Sequence, residues 1–104
     1  MASANHQGSI TISSVVAAAQ GQVSSDLAGE AVILSLHTGM YYGLGPVGAR
    51  IWELLRTPTR VADIRDAIVQ QYDVELERCE RDVLELLRQL ADQGLIETRD
   101  DTDS

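Results

Sequence analysis

Between Glu30 and Leu55 the apolar residues change from a period of two to the spacing of a helix. Alternating apolar residues predict two strands in this stretch: Val32, Leu34 and Leu36 in the first, and Met40, Tyr42 and Leu44 in the second. Thr38-Gly39 between them predicts a two-residue hairpin turn in which glycine takes a positive φ. Pro46 suits the first turn of a helix, so the pattern predicts a β-hairpin that leads directly into an α-helix.

The residues before this hairpin predict one more strand. Gln22 to Leu27 fits a strand, and Ala28-Gly29 supplies a turn into the next one, which gives a three-stranded meander. Ile10-Thr11-Ile12 alternates briefly, so this segment is either a short strand or an irregular cover for the core. Residues 1–9 are small, polar and without periodicity, and we expect them to form a disordered tail.

Two further helices are predicted after the first. Arg60 to Gln71 carries a one-sided apolar stripe, and the third helix runs from about Leu76 to Gln93, where Gly94 ends it. At about 100° per residue, the apolar positions of the third helix fill an arc of about 160°, wider than the stripe of about 100° that one buried face needs. These positions are Leu76, Cys79, Val83, Leu84, Leu86, Leu87, Leu90 and Ala91. Part of this apolar surface is therefore left over after the core is covered.

The predicted fold class is α+β, with a three-stranded antiparallel sheet followed by three helices in a winged helix-turn-helix-like arrangement. A single domain is expected over residues 10–98, and the acidic residues 99–104 are expected to form a second disordered tail.

The charge balance limits the possible partners. The 104 residues include 16 acidic and 8 basic side chains, a net charge of −8, which disfavours nucleic acid and anionic membranes. The single cysteine, Cys79, excludes an internal disulfide, and no apolar run approaches the roughly 18 residues of a membrane span. The sequence therefore predicts a cytoplasmic protein that binds neither nucleic acid nor membranes.

No catalytic constellation is visible in the sequence. His6 and His37 lack a second ligand at metal-binding spacing, and Cys79 falls on the apolar side of the third helix. A strained serine context and a glycine-rich phosphate loop are also missing. We therefore expect a protein that is not an enzyme and that holds no cofactor or metal. An acidic winged-helix transcription regulator stays open as an alternative, although the acidic third helix opposes DNA binding.

Two features favour binding of a peptide. The strand from Met40 to Leu44 lies at a sheet edge, where unpaired N–H and C=O groups can add another strand. The third helix has surplus apolar surface. If the two lie side by side, an extended peptide gains backbone hydrogen bonds from one wall and apolar contacts from the other.

Four motifs resemble a known family in their order and spacing. They are Thr38-Gly39-Met40-Tyr41-Tyr42-Gly43-Leu44, Val47-Gly48-Ala49-Arg50-Ile51-Trp52, Asp82-Val83 and Gly94-Leu95-Ile96. Over roughly Gln22 to Thr98 the chain resembles the PqqD-like peptide chaperones, or RiPP recognition elements, which bind the leader of a ribosomally made precursor peptide. Gly45-Pro46 departs from the family, which more often has Asn and a non-proline residue there, so a weaker helix cap is expected.

The resemblance also implies partners. The Tyr41-Tyr42-Gly43-Leu44 form is most like the free-standing members of lasso-peptide pathways, which implies a precursor-peptide leader, a cysteine-type leader peptidase and a downstream macrocyclase as partners. Resemblance to the quinone-cofactor members implies instead a radical S-adenosylmethionine enzyme. The sequence leaves these two alternatives open.

The predicted peptide-binding residues lie on the edge strand and on the third helix. They are Met40, Tyr41, Tyr42, Gly43, Leu44, Asp82, Val83, Leu86, Leu87 and Leu90. Val83, Leu87 and Leu90 lie near the centre of the apolar arc and are expected to pack in the core as well. Leu86, with Asp82 beside it, is the predicted groove-lining edge, and Leu84 lies on the opposite edge.

Overall fold

The computed structural model describes residues 10–99, and of Leu27 only the backbone. The predicted tail over residues 1–9, and nearly all of the one over 99–104, lie outside this range. The elements in chain order are β1 (Val15–Ala18), β2 (Gln22–Leu27), β3 (Glu30–Ser35), β4 (Tyr41–Leu44), α1 (Pro46–Leu54), β5 (Thr59–Arg60), α2 (Val61–Gln71), α3 (Leu76–Asp92) and β6 (Ile96–Arg99).

The predicted meander is present, and it is followed by the three predicted helices. Its strand order is β2-β3-β4 and every pair is antiparallel, so β2 and β4 are the two edges. The α+β fold class is therefore confirmed. Helix α1 begins at Pro46, with Gly45 as an N-cap that makes no side-chain hydrogen bond, which matches the weak cap expected there.

The hairpin between β3 and β4 is longer than predicted. The Ser35 N–H donates to the Met40 carbonyl at 2.9 Å, which leaves the four residues 36–39 in the loop, and the two-residue turn is wrong. The N–H of Thr38 donates to Ser35 Oγ, and the hydroxyl of Thr38 accepts from the Met40 N–H. These side-chain bonds stabilise the longer loop, in which Gly39 has the expected positive φ of 72°.

The buried face of β3 carries Ala31, Ile33 and Ser35, whereas Val32 and Leu34 on the other face are only half-buried. Both faces are largely apolar, so the period of two could not show which one meets the core. Helix α1 packs against β3, and the face that it covers is the buried one. The alternating set Val32, Leu34 and Leu36 therefore points away from the helices.

A second small sheet was not predicted from the sequence. It has the order β5-β1-β6, with β1 antiparallel to both neighbours. Val16 in β1 is fully buried and pairs with Thr98 of β6. The earlier segment around Ile10 is irregular and Ile10 is fully buried, so this part of the chain covers the core as one of the two alternatives proposed.

The core lies between the meander, the second sheet and the three helices. Its largest fully buried side chains are Ile10, Val16, Ile33, Leu55, Val61, Ile64, Leu87 and Leu95. These side chains come from both sheets, all three helical regions and the N-terminal segment, and they belong to one hydrophobic core cluster.

Candidate functional site

The free edge of β4 presents backbone groups at two residues. The Ser35 N–H bonds to the Met40 carbonyl, which fixes the phase of the antiparallel ladder. Every second residue from Met40 onward therefore turns its N–H and C=O toward β3, and Tyr41 and Gly43 turn theirs outward. These outward groups are the positions at which another strand can pair.

A cavity of about 450 Å³ separates the β4 edge from α3. We call it the strand cavity. Its lining includes Tyr41, Tyr42, Gly43 and Leu44 on one side and Leu86, Gln89, Leu90 and Gln93 on the other. The Tyr42 hydroxyl donates to Gln93 Oε1 at 2.8 Å, which joins β4 to the end of α3. The edge strand and the third helix are therefore the two walls of one groove.

A second cavity of about 550 Å³ lies between α1, the α2–α3 connection and α3. We call it the helix cavity. Its apolar lining is Val47, Ile51, Ile68, Tyr72, Val74, Cys79, Val83 and Leu86, and its charged residues are Asp73, Glu75, Arg78 and Asp82. Leu86 lines both cavities, so they adjoin along α3.

The predicted site residues fall into three groups. Tyr41 to Leu44, with Leu90, line the strand cavity, and Asp82 and Val83 line the helix cavity. Leu87 is fully buried and Met40 is 55% exposed beyond the start of β4, and neither lines the strand cavity or the helix cavity. Packing in the core is therefore the role of Leu87.

The two edges of the apolar arc on α3 have different surroundings. Leu84 is half-buried, and one turn further on the Arg88 guanidinium donates to the Ile10 carbonyl at 3.1 Å. The N-terminal segment thus lies against the Leu84 side. Leu86, on the other side, faces the groove.

The cavity beside the opposite sheet edge is much smaller. Beside β2 a cavity of only about 20 Å³ lies against α1, with Ser24, Asp26 and Trp52 in its lining. An apolar side chain of a peptide added to β2 would find little space in this cavity. The arrangement of the helices therefore distinguishes β4 from β2, although both are open edges.

The sequence predicted the wall of the helix cavity that α3 forms, but it did not predict the opposite wall. Val47, Ile51, Tyr72 and Val74 form that second wall. A signal was available, since Val74 is an apolar residue within the polar connection Asp73 to Glu75, and it is 41% exposed. Only the tertiary structure, in which α1 and α3 lie on either side of Val74, shows that this residue lines the helix cavity.

The groove is acidic. Asp73, Glu75 and Asp82 line the helix cavity and Asp92 lines the strand cavity, against a single basic residue, Arg78. A peptide that carries basic residues beside its apolar anchors is favoured at such a surface.

Cys79 lines the helix cavity but is only 4% exposed. Burial raises the pKa of its thiol, and the charge of Asp82 raises it further. The Sγ atom lies 3.8 Å from the Arg65 carbonyl, as a weak donor. A raised pKa lowers the thiolate fraction at neutral pH, so Cys79 is a packing residue and a poor nucleophile.

Residues 10–99 hold no cluster of His, Cys, Asp and Glu side chains that fits a metal ion. In the same part of the chain, no helix combines the length and the apolar character needed to cross a membrane.

Comparison with known proteins identifies the family. The model of the family described as coenzyme PQQ synthesis protein D (PqqD) matches residues 30–96, more than half of the chain. The solved structure of TbiB1 in complex with the TbiA(beta) leader peptide is similar, with a TM-score of 0.74 and 42% sequence identity. The match covers 78% of this chain and 94% of that one. No curated protein sequence matches. The chain belongs to the PqqD family and is a PqqD-like recognition element, as its motifs predicted.

Proposed function

We propose that this protein binds the leader of a ribosomally made precursor peptide by adding it as a strand to the edge of β4. The observation that carries the proposal is the pair of outward-facing backbone groups at Tyr41 and Gly43, set beside an apolar groove on α3. The similarity to TbiB1, whose structure contains a leader peptide, supports the same function.

In this arrangement, backbone hydrogen bonds supply affinity for any extended peptide, and side-chain contacts supply selectivity. Backbone bonds to Tyr41 and Gly43 accept any extended peptide, whereas every second side chain of that peptide points toward α3. Those side chains meet Leu86 and Leu90 in the strand cavity. A leader is thus selected by the apolar residues that it carries at alternate positions.

The helix cavity accommodates a large anchor. Its volume of about 550 Å³ exceeds that of one aromatic side chain, and its walls are apolar around Ile51, Val83 and Leu86. The family resemblance implies that the leader supplies a tyrosine and a proline as anchors. Burial of such an aromatic contributes roughly 2 to 3 kcal/mol. The acids at the rim of this cavity favour a basic residue next to the anchor.

The protein itself performs no chemistry on the peptide in this proposal. It presents the bound precursor to a cysteine-type leader peptidase and then to a macrocyclase, in the lasso-peptide type of pathway. The Tyr41-Tyr42-Gly43-Leu44 motif supports this assignment. The protein acts in the cytoplasm, where the precursor is made.

A second candidate pathway is favoured by the matching family, whose description refers to synthesis of coenzyme PQQ. In that case the same groove presents a peptide to a radical S-adenosylmethionine enzyme. The two candidates share the binding step and differ in the enzyme that receives the peptide, so incubation with each purified enzyme distinguishes them.

Strand addition is tested with two substitutions at one residue. Tyr41→Pro removes an outward N–H that makes no bond within the sheet, so the fold is retained while the added strand loses a partner. We expect at least a tenfold higher Kd for a fluorescein-labelled leader in an anisotropy titration. Tyr41→Ala, the matched control, keeps the N–H and should change the Kd by less than about threefold. Equal binding by the proline variant and the parent would exclude strand addition at this edge.

The non-catalytic role is tested with a labelled precursor. We expect no cleavage when the precursor is incubated with this protein alone, and cleavage when the peptidase is added. Leader cleavage by the purified protein that is abolished in Cys79→Ala would instead identify an enzyme.

A further inference from the structure

One hydrogen bond crosses the groove between β4 and α3 from wall to wall. The Tyr42 hydroxyl donates to Gln93 Oε1 at 2.8 Å, and both residues line the strand cavity. Within residues 10–99, no other side-chain hydrogen bond or ion pair joins β4 to α3. We call this bond the crossbar.

The Tyr42 end of the crossbar is held by the sheet and the core. Tyr42 pairs with Ile33 of β3, so its side chain lies on the same face as that fully buried residue, and it packs half-buried against the core. Two residues further on, Leu44 seats β4 on α1. A Cβ added at Gly48 of α1 would lie 3.2 Å from Leu44 Cβ, so strand and helix approach as closely as a glycine allows.

The Gln93 end is held by the termination of α3. Gly94 follows with a φ of 75°, its N–H donates to the Ala91 carbonyl at 3.0 Å, and the Leu95 N–H donates to the Leu90 carbonyl at 2.9 Å. These two bonds form a Schellman motif. Because Leu95 is also buried in the core, the backbone of Gln93 has a fixed position, and only its side chain can move.

The start of β4 has little other support from the helices. Leu36, Met40 and Tyr41, on either side of the hairpin turn, are each more than half exposed. Loss of the crossbar leaves β4 seated on α1 through Leu44, at the opposite end of the strand. The separation of β4 and α3 at Tyr42 can then increase.

We propose that the crossbar sets the separation of β4 and α3, and thereby the size of the leader side chain that the strand cavity accepts. This inference rests on the proposed function. The inward side chains of a leader paired with β4 enter the strand cavity. A leucine fits between the walls with the crossbar intact, whereas a tryptophan forces the walls apart and breaks the bond. Loss of one neutral hydrogen bond changes an equilibrium constant roughly two- to tenfold. Tyr42 and Gln93 are therefore positioning residues that determine selectivity.

The test removes the crossbar from either end. Tyr42→Phe keeps the ring and Gln93→Met keeps the length of the side chain, and the double variant combines them. Gln70→Met is the matched control, since Gln70 is an exposed glutamine in the last turn of α2 that lines neither cavity. The probes are fluorescein-labelled synthetic leaders in which leucine or tryptophan replaces each residue in turn, and anisotropy titrations give their Kd values.

A second measurement needs no leader. The Ser35 N–H donates to the Met40 carbonyl at the start of β4, so its hydrogen exchange reports opening of this end of the strand. NMR measures its exchange rate relative to amides in the middle of α3. We expect this relative rate to rise at least threefold in Tyr42→Phe and in Gln93→Met, and to stay at the parent value in Gln70→Met.

In the parent, tryptophan at a leader position that faces the strand cavity should raise the Kd at least tenfold over leucine. Both single variants should bind that tryptophan leader at least threefold more tightly than the parent does. The double variant should gain no more than either single one, because the same bond is lost. A purely structural role of the two residues would weaken binding of every peptide and would not produce this gain.

A tryptophan-leader Kd that is unchanged or higher in both single variants overturns the proposal, as does an unchanged relative exchange rate at Ser35. A parent that binds no leader counts against the proposed function instead. The exchange measurement then decides on its own whether the crossbar holds the strand.

Discussion

At the scale of single residues, Leu86 and Leu84 form a matched pair on α3, because one lies in the groove and the other lies outside it. Both are half-buried leucines on α3, but Leu86 lines both cavities and Leu84 lies on the side of the N-terminal segment. The same substitution at the two positions therefore compares the groove with the side of α3 that carries the N-terminal segment.

Leu86→Glu should raise the leader Kd by tenfold to a hundredfold, because a carboxylate placed between the two cavities removes most of the roughly 2 to 3 kcal/mol from a buried anchor. Its melting temperature should stay close to that of the parent. Leu84→Glu should change the Kd by less than about threefold. An anisotropy titration with both variants, each checked by thermal melting, measures the difference. Parent-like affinity in a folded Leu86→Glu variant would place the groove elsewhere.

Cys79 gives a second prediction at this scale. Because burial and the charge of Asp82 raise the pKa of the thiol, its thiolate form appears only at a higher pH than that of an exposed cysteine. Alkylation by iodoacetamide should therefore be slow at neutral pH in the native protein and should accelerate with rising pH. The urea-unfolded chain is the control and should react at the rate of a free thiol. Equal rates for the native and unfolded protein would show that Cys79 is accessible.

At the scale of the elements, the N-terminal segment is a structural part of the domain. β1 joins β5 to β6, and the Ile10 carbonyl accepts a hydrogen bond from Arg88 on α3. The family match begins at residue 30, so this segment lies outside the region that defines the family. Its contribution is to stability, on the side of α3 that faces away from the groove.

Ile10→Ala should reduce the free energy of unfolding by about 2 to 5 kcal/mol, since Ile10 is fully buried and its truncation leaves a cavity. The leader Kd at a temperature where the variant is folded should be unchanged. Leu76→Ala is the control, because truncation of an exposed leucine costs less than about 0.5 kcal/mol. Urea unfolding gives both values. A parent-like midpoint for Ile10→Ala would mean that residue 10 does not pack in the core.

At the scale of the whole molecule, the charge of −8 and the acids along the groove act together. In the proposed function, the long-range field attracts a basic leader before contact, and apolar burial holds it afterwards. These two effects respond differently to salt, because screening weakens the field over a Debye length of about 8 to 10 Å but leaves buried contacts nearly unchanged.

Association of a basic leader should therefore slow several-fold between low and physiological ionic strength, while its dissociation rate changes less. Stopped-flow fluorescence measures both rates. A leader with its basic residues replaced by glutamine is the control and should show little salt dependence. Association rates of the basic leader that do not change with ionic strength would contradict the electrostatic part of the proposal.

The sequence alone determined the order of the three meander strands and the three helices, and the identity of the edge strand. Alternation gave β2, β3 and β4, helical spacing gave α1 to α3, and a three-strand meander has two edges whatever packs against it. The surplus apolar arc on α3 was also a local property, as was the acidic balance. These features depend on residues close together in the chain, where spacing is enough to specify them.

Tertiary structure decided what depends on distant residues. The pairing of β1 with β6 brings together opposite ends of the described chain, and no periodicity reports it. Both faces of β3 are apolar, so only the position of α1 decided that Ile33 is buried and that Leu34 points away from the helices. The helix cavity forms only where α1, Val74 and α3 come together. The sequence specified which surfaces are apolar, and the packing of the helices decided which of them stayed open.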